Sequence, residues 1–100
     1  MNKSIFTIRK KKKTKHPQVI VGANRTKFKS MTLTHSKGKR RTRNIKLSMN
    51  PNPEDFSDSY VSKRVIEDFK FNFSKAFKNY HLSNQDIDEL IKYLKSKQKK

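Results

Sequence analysis

The stretch KFKSMTLTHSKGKRRTRNIKL, residues 27–47, reads as strand, loop, strand. In the first run Met31 and Leu33 alternate with Ser30, Thr32 and Thr34. After the loop, Ile45, Leu47 and Met49 alternate with Asn44, Lys46 and Ser48. A period of two sends successive side chains to opposite faces of a sheet, so each run buries one face and leaves the other polar. The intervening loop, SKGKRRTR, holds Gly38 for a tight turn and five cations, Lys37, Lys39, Arg40, Arg41 and Arg43. Thr34, His35 and Ser36 close the first run at the edge of that loop.

Working back toward the N-terminus, QVIVGA at residues 18–23 is a β-branched apolar run ending near a glycine, the pattern of a strand buried on both faces. Asn24 to Thr26 forms the turn into residue 27. His16 precedes Pro17, which pushes it out of the helical region and keeps the chain extended. Residues 4–9 can make a short strand, and the lysine run after it has no periodicity, so residues 1–15 are expected to be a mobile basic arm.

Toward the C-terminus, NPNPED at residues 50–55 is turn chemistry, because its prolines cannot donate to a ladder. Residues 59–66, SYVSKRVI, predict a further strand. From residue 67 to 80 two periods compete: Phe69, Phe71 and Phe73 are spaced by two, while Phe73, Ala76, Phe77 and Tyr80 fit a helix. A strand giving way to a short helix or turn satisfies both. The last element is a helix at about 83–96. Ser83 is its N-cap with Asp86 three residues on, Leu82 and Ile87 are placed as a hydrophobic staple, and Ile87, Leu90, Ile91 and Leu94 form one stripe. Its acids lie early and its lysines late, as the helix dipole favours.

Only 31% of the 100 residues are apolar and 34% are charged, enough for one small domain over residues 16–96 and a basic tail at 97–100. The net charge of +18 is concentrated in the first half: residues 1–53 carry 16 Lys/Arg and no acid, whereas residues 54–100 carry 10 Lys/Arg against 8 Asp/Glu. A half-chain so unbalanced repels itself unless a polyanion covers it, which points to RNA or DNA ahead of a membrane surface. With no cysteine, thiolate zinc sites, disulfides and Cys nucleophiles drop out. The three histidines are too dispersed for a local metal motif, and no apolar stretch is long enough to span a bilayer. A cytoplasmic protein without metal or other cofactor is expected.

The 36–43 loop is the first candidate binding site, since arginine forks pair with phosphate oxygens and stack on unpaired bases. Lys15, Arg25 and Lys46 extend the set. His35, next to Thr34, Ser36 and the loop, would sit beside a bound phosphate. There it can take a proton from a ribose 2′-hydroxyl or give one to the leaving group, its plainer role being that of an ordinary surface residue at a strand end. His16 is the second candidate for that acid/base pair, with membership of the basic arm as its plainer role. His81, just before the helix cap, is assigned a structural role. Phe6, Phe28, Tyr60 and the aromatics from Phe69 to Tyr80 have the right faces to stack bases, but most are needed to fill so small a core.

Five segments in order resemble the PemK/MazF family of toxin endoribonucleases. HPQVIVG (16–22) resembles that family's strand opening on Arg-Pro and running through valines, and SMTLTHSK (30–37) its strand ending in Thr and Ser. NIKL (44–47), DSYVSKRVI (58–66) and LSNQDIDELIKYL (82–94) resemble the later strands and the closing helix. The resemblance implies a small SH3-like barrel with a C-terminal helix, working as a dimer, restrained by an acidic antitoxin, and cleaving RNA through a ribose 2′-hydroxyl without metal. By position, the family's conserved Thr falls on Thr34 and its serine lies close to Ser36. Its arginine before the first proline is His16 here.

The expected fold is therefore α+β and mainly β: a partly open SH3-like barrel with a C-terminal amphipathic helix and a basic N-terminal arm. The expected function is nucleic-acid binding, RNA ahead of DNA, through residues 9–46, with metal-independent endoribonuclease cleavage as the activity the resemblance implies. If the protein cleaves, His35 and His16 would be acid and base, Thr34 and Ser36 orienting groups, and Arg40, Arg41 and Arg43 phosphate contacts. The alternatives are a non-enzymatic nucleic-acid-binding accessory protein of a phage or mobile element, which could inhibit a nucleic-acid-processing complex, and a ribosome-associated rRNA binder.

Overall fold

The computed structural model describes residues 5–14, 16–39 and 42–98. It is mainly β, with one open antiparallel sheet and one C-terminal helix. The strands are β1 (Ile8–Lys10), β2 (Pro17–Ala23), β3 (Lys27–Thr34), β4 (Gly38–Lys39), β5 (Thr42–Arg43), β6 (Ile45–Lys46) and β7 (Tyr60–Phe69), followed by a 3₁₀ turn (Lys70–Asn72) and α1 (Asn84–Gln98). Five of them pair in the order β1-β2-β3-β7-β6, and β4 and β5 form a separate small hairpin.

β2 and β3 form where the alternation and the β-branched run place them. Asn24 makes the turn between them: its side-chain oxygen accepts the Thr26 and Lys27 N–H groups at 3.0 and 2.8 Å, and its own N–H donates to the Lys27 carbonyl. The β2–β3 register shifts between Ile20 and Gly22, and the β3–β7 register shifts between Met31 and Leu33. Such irregularities bend a strand and increase its twist.

Both faces of the central strands are covered, as the QVIVGA run predicts. Val19, Met31, Leu33 and Val61 join Ile8, Leu47, Leu82 and Leu90 in the main core, against which Ile87, Tyr93 and Leu94 of α1 pack. On the opposite face Ile20 meets Phe28 and Phe73 in a smaller cluster, with the two rings edge to face at 5.4 Å. The Gln18 side chain is buried on the sheet, where it accepts from the Ser30 hydroxyl at 3.0 Å and donates to Thr32 Oγ1 at 3.1 Å. Ser30, on the strand face expected to be polar, is thus buried with its hydrogen bond satisfied.

The structure adjusts the bounds of three segments. The short strand allowed at residues 4–9 is present one residue later, as the edge strand β1 at Ile8–Lys10, paired Ile8 with Val19 and Lys10 with Pro17, and Lys11 of the expected mobile run bridges to Phe73. Backbone pairing is indifferent to side-chain charge, and the single apolar anchor is Ile8, fully buried. The strand expected to run to Met49 stops at Lys46, and Met49 is exposed. The cause is Asp86: its buried carboxylate accepts the Ser48 N–H at 2.7 Å and the Met49 N–H at 3.4 Å, pulling the chain from the ladder onto the helix N-terminus. Ser83 caps α1 as expected, accepting the Asp86 N–H at 3.1 Å. The strand expected at residues 59–66 runs from Tyr60 to Phe69 and gives way to the 3₁₀ turn Lys70–Asn72, the order of strand and short helix expected for residues 67–80. Among the described residues no helix is long and apolar enough to cross a membrane.

Candidate functional site

At the Thr34 end of β3 the chain enters ordered turns whose backbone groups are held by its own hydroxyls. Thr34 Oγ1 accepts the Ser36 N–H at 3.2 Å, Ser36 Oγ accepts the Gly38 N–H at 3.1 Å, and Asn44 donates its side-chain amide to the Ser36 carbonyl at 2.9 Å. Gly38 has φ 84°, a left-handed conformation that a side chain would strain. Thr34 and Ser36 therefore orient the basic loop.

Two clefts flank this corner, and Thr34 and Tyr60 are register partners between them. The first, about 200 Å³, is lined by His16, Thr34, His35, Asn52, Asp55, Ser59 and Tyr80 among others. It is smaller than the usual small-molecule pocket and has room for a phosphate or a sugar, not for a whole nucleotide. The second, about 560 Å³, is lined by Lys37, Gly38, Arg43, Asn44, Lys46 and Tyr60. The two expected acid/base residues thus share one cleft, and three of the expected phosphate contacts share the next.

His35 is largely exposed and its ring is fixed from both sides. Nδ1 lies 3.0 Å from the Asp58 carbonyl and 3.3 Å from Ser57 Oγ, and Nε2 lies 3.4 Å from Asp55 Oδ2. A carbonyl only accepts, so Nδ1 carries a proton in that contact. Asp55 is well supplied with donors: the Ser57 hydroxyl at 2.6 Å and the Ser57 N–H at 3.0 Å hold its carboxyl below the ordinary carboxylate value, and the His35 ring adds to the effect. Asp58 links the clefts, since its carboxylate also lies 3.7 Å from Lys46 Nζ.

The loop carrying these acids is braced internally. Asn50 accepts the Asn52 N–H, Asn52 accepts the Glu54 N–H, and the Asn50 amide donates to the Ser57 carbonyl. Its start is tied down by Asp86 and by the His81 N–H, which donates to the Pro51 carbonyl at 3.1 Å, and its end by the Ser59 carbonyl, which accepts the Leu47 N–H at 2.9 Å. Ser59 Oγ, fully buried on the wall of the first cleft, has no hydrogen-bond partner among the described residues. A buried hydroxyl without a partner is costly, and a ligand oxygen in the cleft is a natural way to satisfy it.

Arg25 does not join the others. It lies in the β2–β3 turn, at the opposite end of an eight-residue strand from Lys37, roughly 26 Å away by strand rise. Lys39 contributes backbone to β4, pairing with Thr42. Lys15, Arg40 and Arg41 lie outside the described residues. Sequence reasoning missed Asp55, Ser57, Asp58 and Ser59; the NPNPED turn signal marked their loop, but nothing local says that it folds back over His35. Compared with protein-family models, curated proteins and solved structures, the chain matches none.

Proposed function

We propose that the protein binds single-stranded RNA on the face formed by residues 36–46 and cleaves it in the adjoining histidine cleft without a metal ion. The observation that carries this reading is the meeting of His16 and His35, distant in sequence, beside a second cleft lined by Lys37, Arg43 and Lys46. One imidazole removes the proton of a ribose 2′-hydroxyl, whose oxygen attacks the neighbouring phosphorus. The other protonates the departing 5′-oxygen, and the Arg43 and Lys37 cations offset the charge of the phosphorane. The products are a 2′,3′-cyclic phosphate and a 5′-hydroxyl.

For His35 to take part, Nε2 exchanges Asp55 for substrate, the longer of its contacts at 3.4 Å and so the one given up first. The Asp58 carbonyl on Nδ1 then keeps the ring oriented, and the Asp55 carboxylate, held low by Ser57, stays close enough to offset its charge. The bent sheet reads in this proposal as a partly open SH3-like barrel of the PemK/MazF kind, acting in the cytoplasm, with a homodimer and an acidic antitoxin or other protein as its protein partners.

One observation favours a second reading. Both ring nitrogens of His35 already face protein acceptors, which suits a group that shapes a surface. In that case the chain binds RNA or DNA without turnover, as an accessory protein of a phage or mobile element or as an rRNA binder. Incubating single-stranded RNA with the protein in EDTA separates the two. The nuclease reading expects cyclic-phosphate ends from the wild type and their loss in His35→Ala and His16→Ala. Intact RNA together with salt-sensitive binding assigns the second reading, and undiminished cleavage by His35→Ala removes the assigned role of that residue.

A further inference from the structure

At the Lys27 end of β3, the end that Arg25 occupies, two phenylalanines stand in water. Phe71 is 68% exposed and Phe69 42%, and their rings stack at 5.2 Å with planes 11° apart. Lys27 Nζ lies 4.9 Å from the Phe69 ring centre. The third aromatic of the same series, Phe73, is buried against Phe28, so the core takes one ring of the three and leaves the other two on the surface.

The surroundings are cationic and fixed. The Lys12 N–H donates to the Asn72 carbonyl at 2.8 Å, which holds the lysine turn after β1 next to the 3₁₀ turn that carries Phe71. The Lys70 N–H donates to the Thr26 carbonyl at 2.9 Å, which anchors the Arg25 turn on the other side. Of the two nearby acids, Asp68 is paired with Lys11 at 3.1 Å, and Glu67 lies opposite Lys29 in the register. Open aromatic faces ringed by lysine and arginine are how proteins hold unpaired nucleobases, with the ring stacking on the base and the cations meeting the flanking phosphates.

We propose that Phe69 and Phe71 form a second contact for single-stranded RNA, a shelf on which an unpaired base stacks over Phe71 while Lys12, Lys27 and Arg25 meet its phosphates. This rests on the RNA-binding reading above and gives Arg25, stranded from the 36–46 face, its partner. It also makes the lysine turn part of a defined surface.

The chain has no tryptophan, so Phe71→Trp introduces a single indole at the shelf. The test titrates this variant, the wild type and Phe71→Ala with a uridine oligonucleotide and with an abasic strand of the same length. Stacking predicts quenching of the indole by the uridine strand only. It also predicts that Phe71→Ala weakens uridine-strand binding by about 5- to 150-fold while leaving abasic-strand binding unchanged. Because Phe71 is mostly in water, an unchanged melting temperature for Phe71→Ala accompanies these results. Equal affinity of wild type and Phe71→Ala for the uridine strand overturns the shelf and leaves the basic 36–46 face standing. A wild type that binds neither strand overturns both. A change of oligomeric state in Phe71→Ala without RNA assigns the rings to a second copy of the chain and likewise overturns the shelf.

Discussion

The two ends of β3 both carry an exposed phenylalanine, and the difference between them lies in what surrounds it. At the Thr34 end Phe56 is 96% exposed, the more open of the two, but its neighbours in the loop are Glu54, Asp55 and Asp58, which repel a phosphate chain. At the Lys27 end Phe71 stacks on Phe69, whose ring centre lies 4.9 Å from Lys27 Nζ, and backbone bonds hold Lys12 and the Arg25 turn next to the 3₁₀ turn that carries it. Hydrogen bonding divides the ends in the same way. At the Thr34 end the hydroxyls of Thr34, Ser36 and Ser57 and the Asp55 carboxylate are engaged in turns beside the cations of the 36–46 face, whereas the Lys27 end sets its cations around exposed stacked rings. Exposure alone therefore does not define a nucleic-acid surface; charge of the right sign around the exposed ring does.

The largest expected effect removes the support common to both ends. Leu90 is fully buried in the main core under the sheet, so Leu90→Ala should lower stability by about 2–5 kcal/mol. Urea unfolding followed by circular dichroism measures this, and RNA contacts at both ends should weaken together. A loss confined to one end would mean that the core does not couple them.

Asp86→Ala should act on the Thr34 end alone. It strips acceptors from the Ser48 and Met49 N–H groups and frees the strap that leads into the 50–58 loop. A cost of about 1–3 kcal/mol is expected. Hydrogen exchange should show faster exchange of the Ser48 and Met49 amides, with those of Lys12 and Lys70 unchanged.

Acid loosens both ends. Asp55 at one end and Asp68 at the other are held below the ordinary carboxylate value, Asp55 chiefly by Ser57 and Asp68 by the Asn72 amide and then Lys11. A carboxyl lowered in the folded state stabilises it above the unfolded value, near 3.8, and that contribution fades as pH falls through the lower folded value. Between pH 7 and about 5 neither group should alter the melting temperature. Below about 4 stability should fall, less steeply in Asp55→Asn and in Asp68→Asn, each of which removes one end's share.

The smallest expected effect is none. Phe56→Ala should leave affinity for single-stranded RNA unchanged, since the ring is flanked by acids. A clear loss of binding would place an RNA contact on the acidic loop and erase the distinction between the ends.

Much of the scaffold was legible in the sequence because its signals are local. The Ser83 cap and the Leu82 to Leu94 pattern mark α1, and the alternation around Met31 marks β3. β1 was legible in part: the short strand allowed at residues 4–9 overlaps it at Ile8 and Arg9, while Lys10 read as the start of the lysine run. The early end of β6 escaped because Asp86, far along the chain, competes for the Ser48 and Met49 amides. The candidate site was half legible: His16, His35 and Thr34 do meet, but the loop that fixes the His35 ring is brought there by long-range contacts with no local signature.

The most direct test of RNA binding through the 36–46 face is the salt dependence of affinity for a single-stranded RNA, for the wild type and for the combined Lys37→Ala, Arg43→Ala, Lys46→Ala variant. The logarithm of the binding constant should fall linearly with the logarithm of salt concentration, by about 0.7 per phosphate neutralised, and the triple variant should flatten that slope by about 2. A wild-type affinity indifferent to salt, or a triple variant with the wild-type slope, contradicts it.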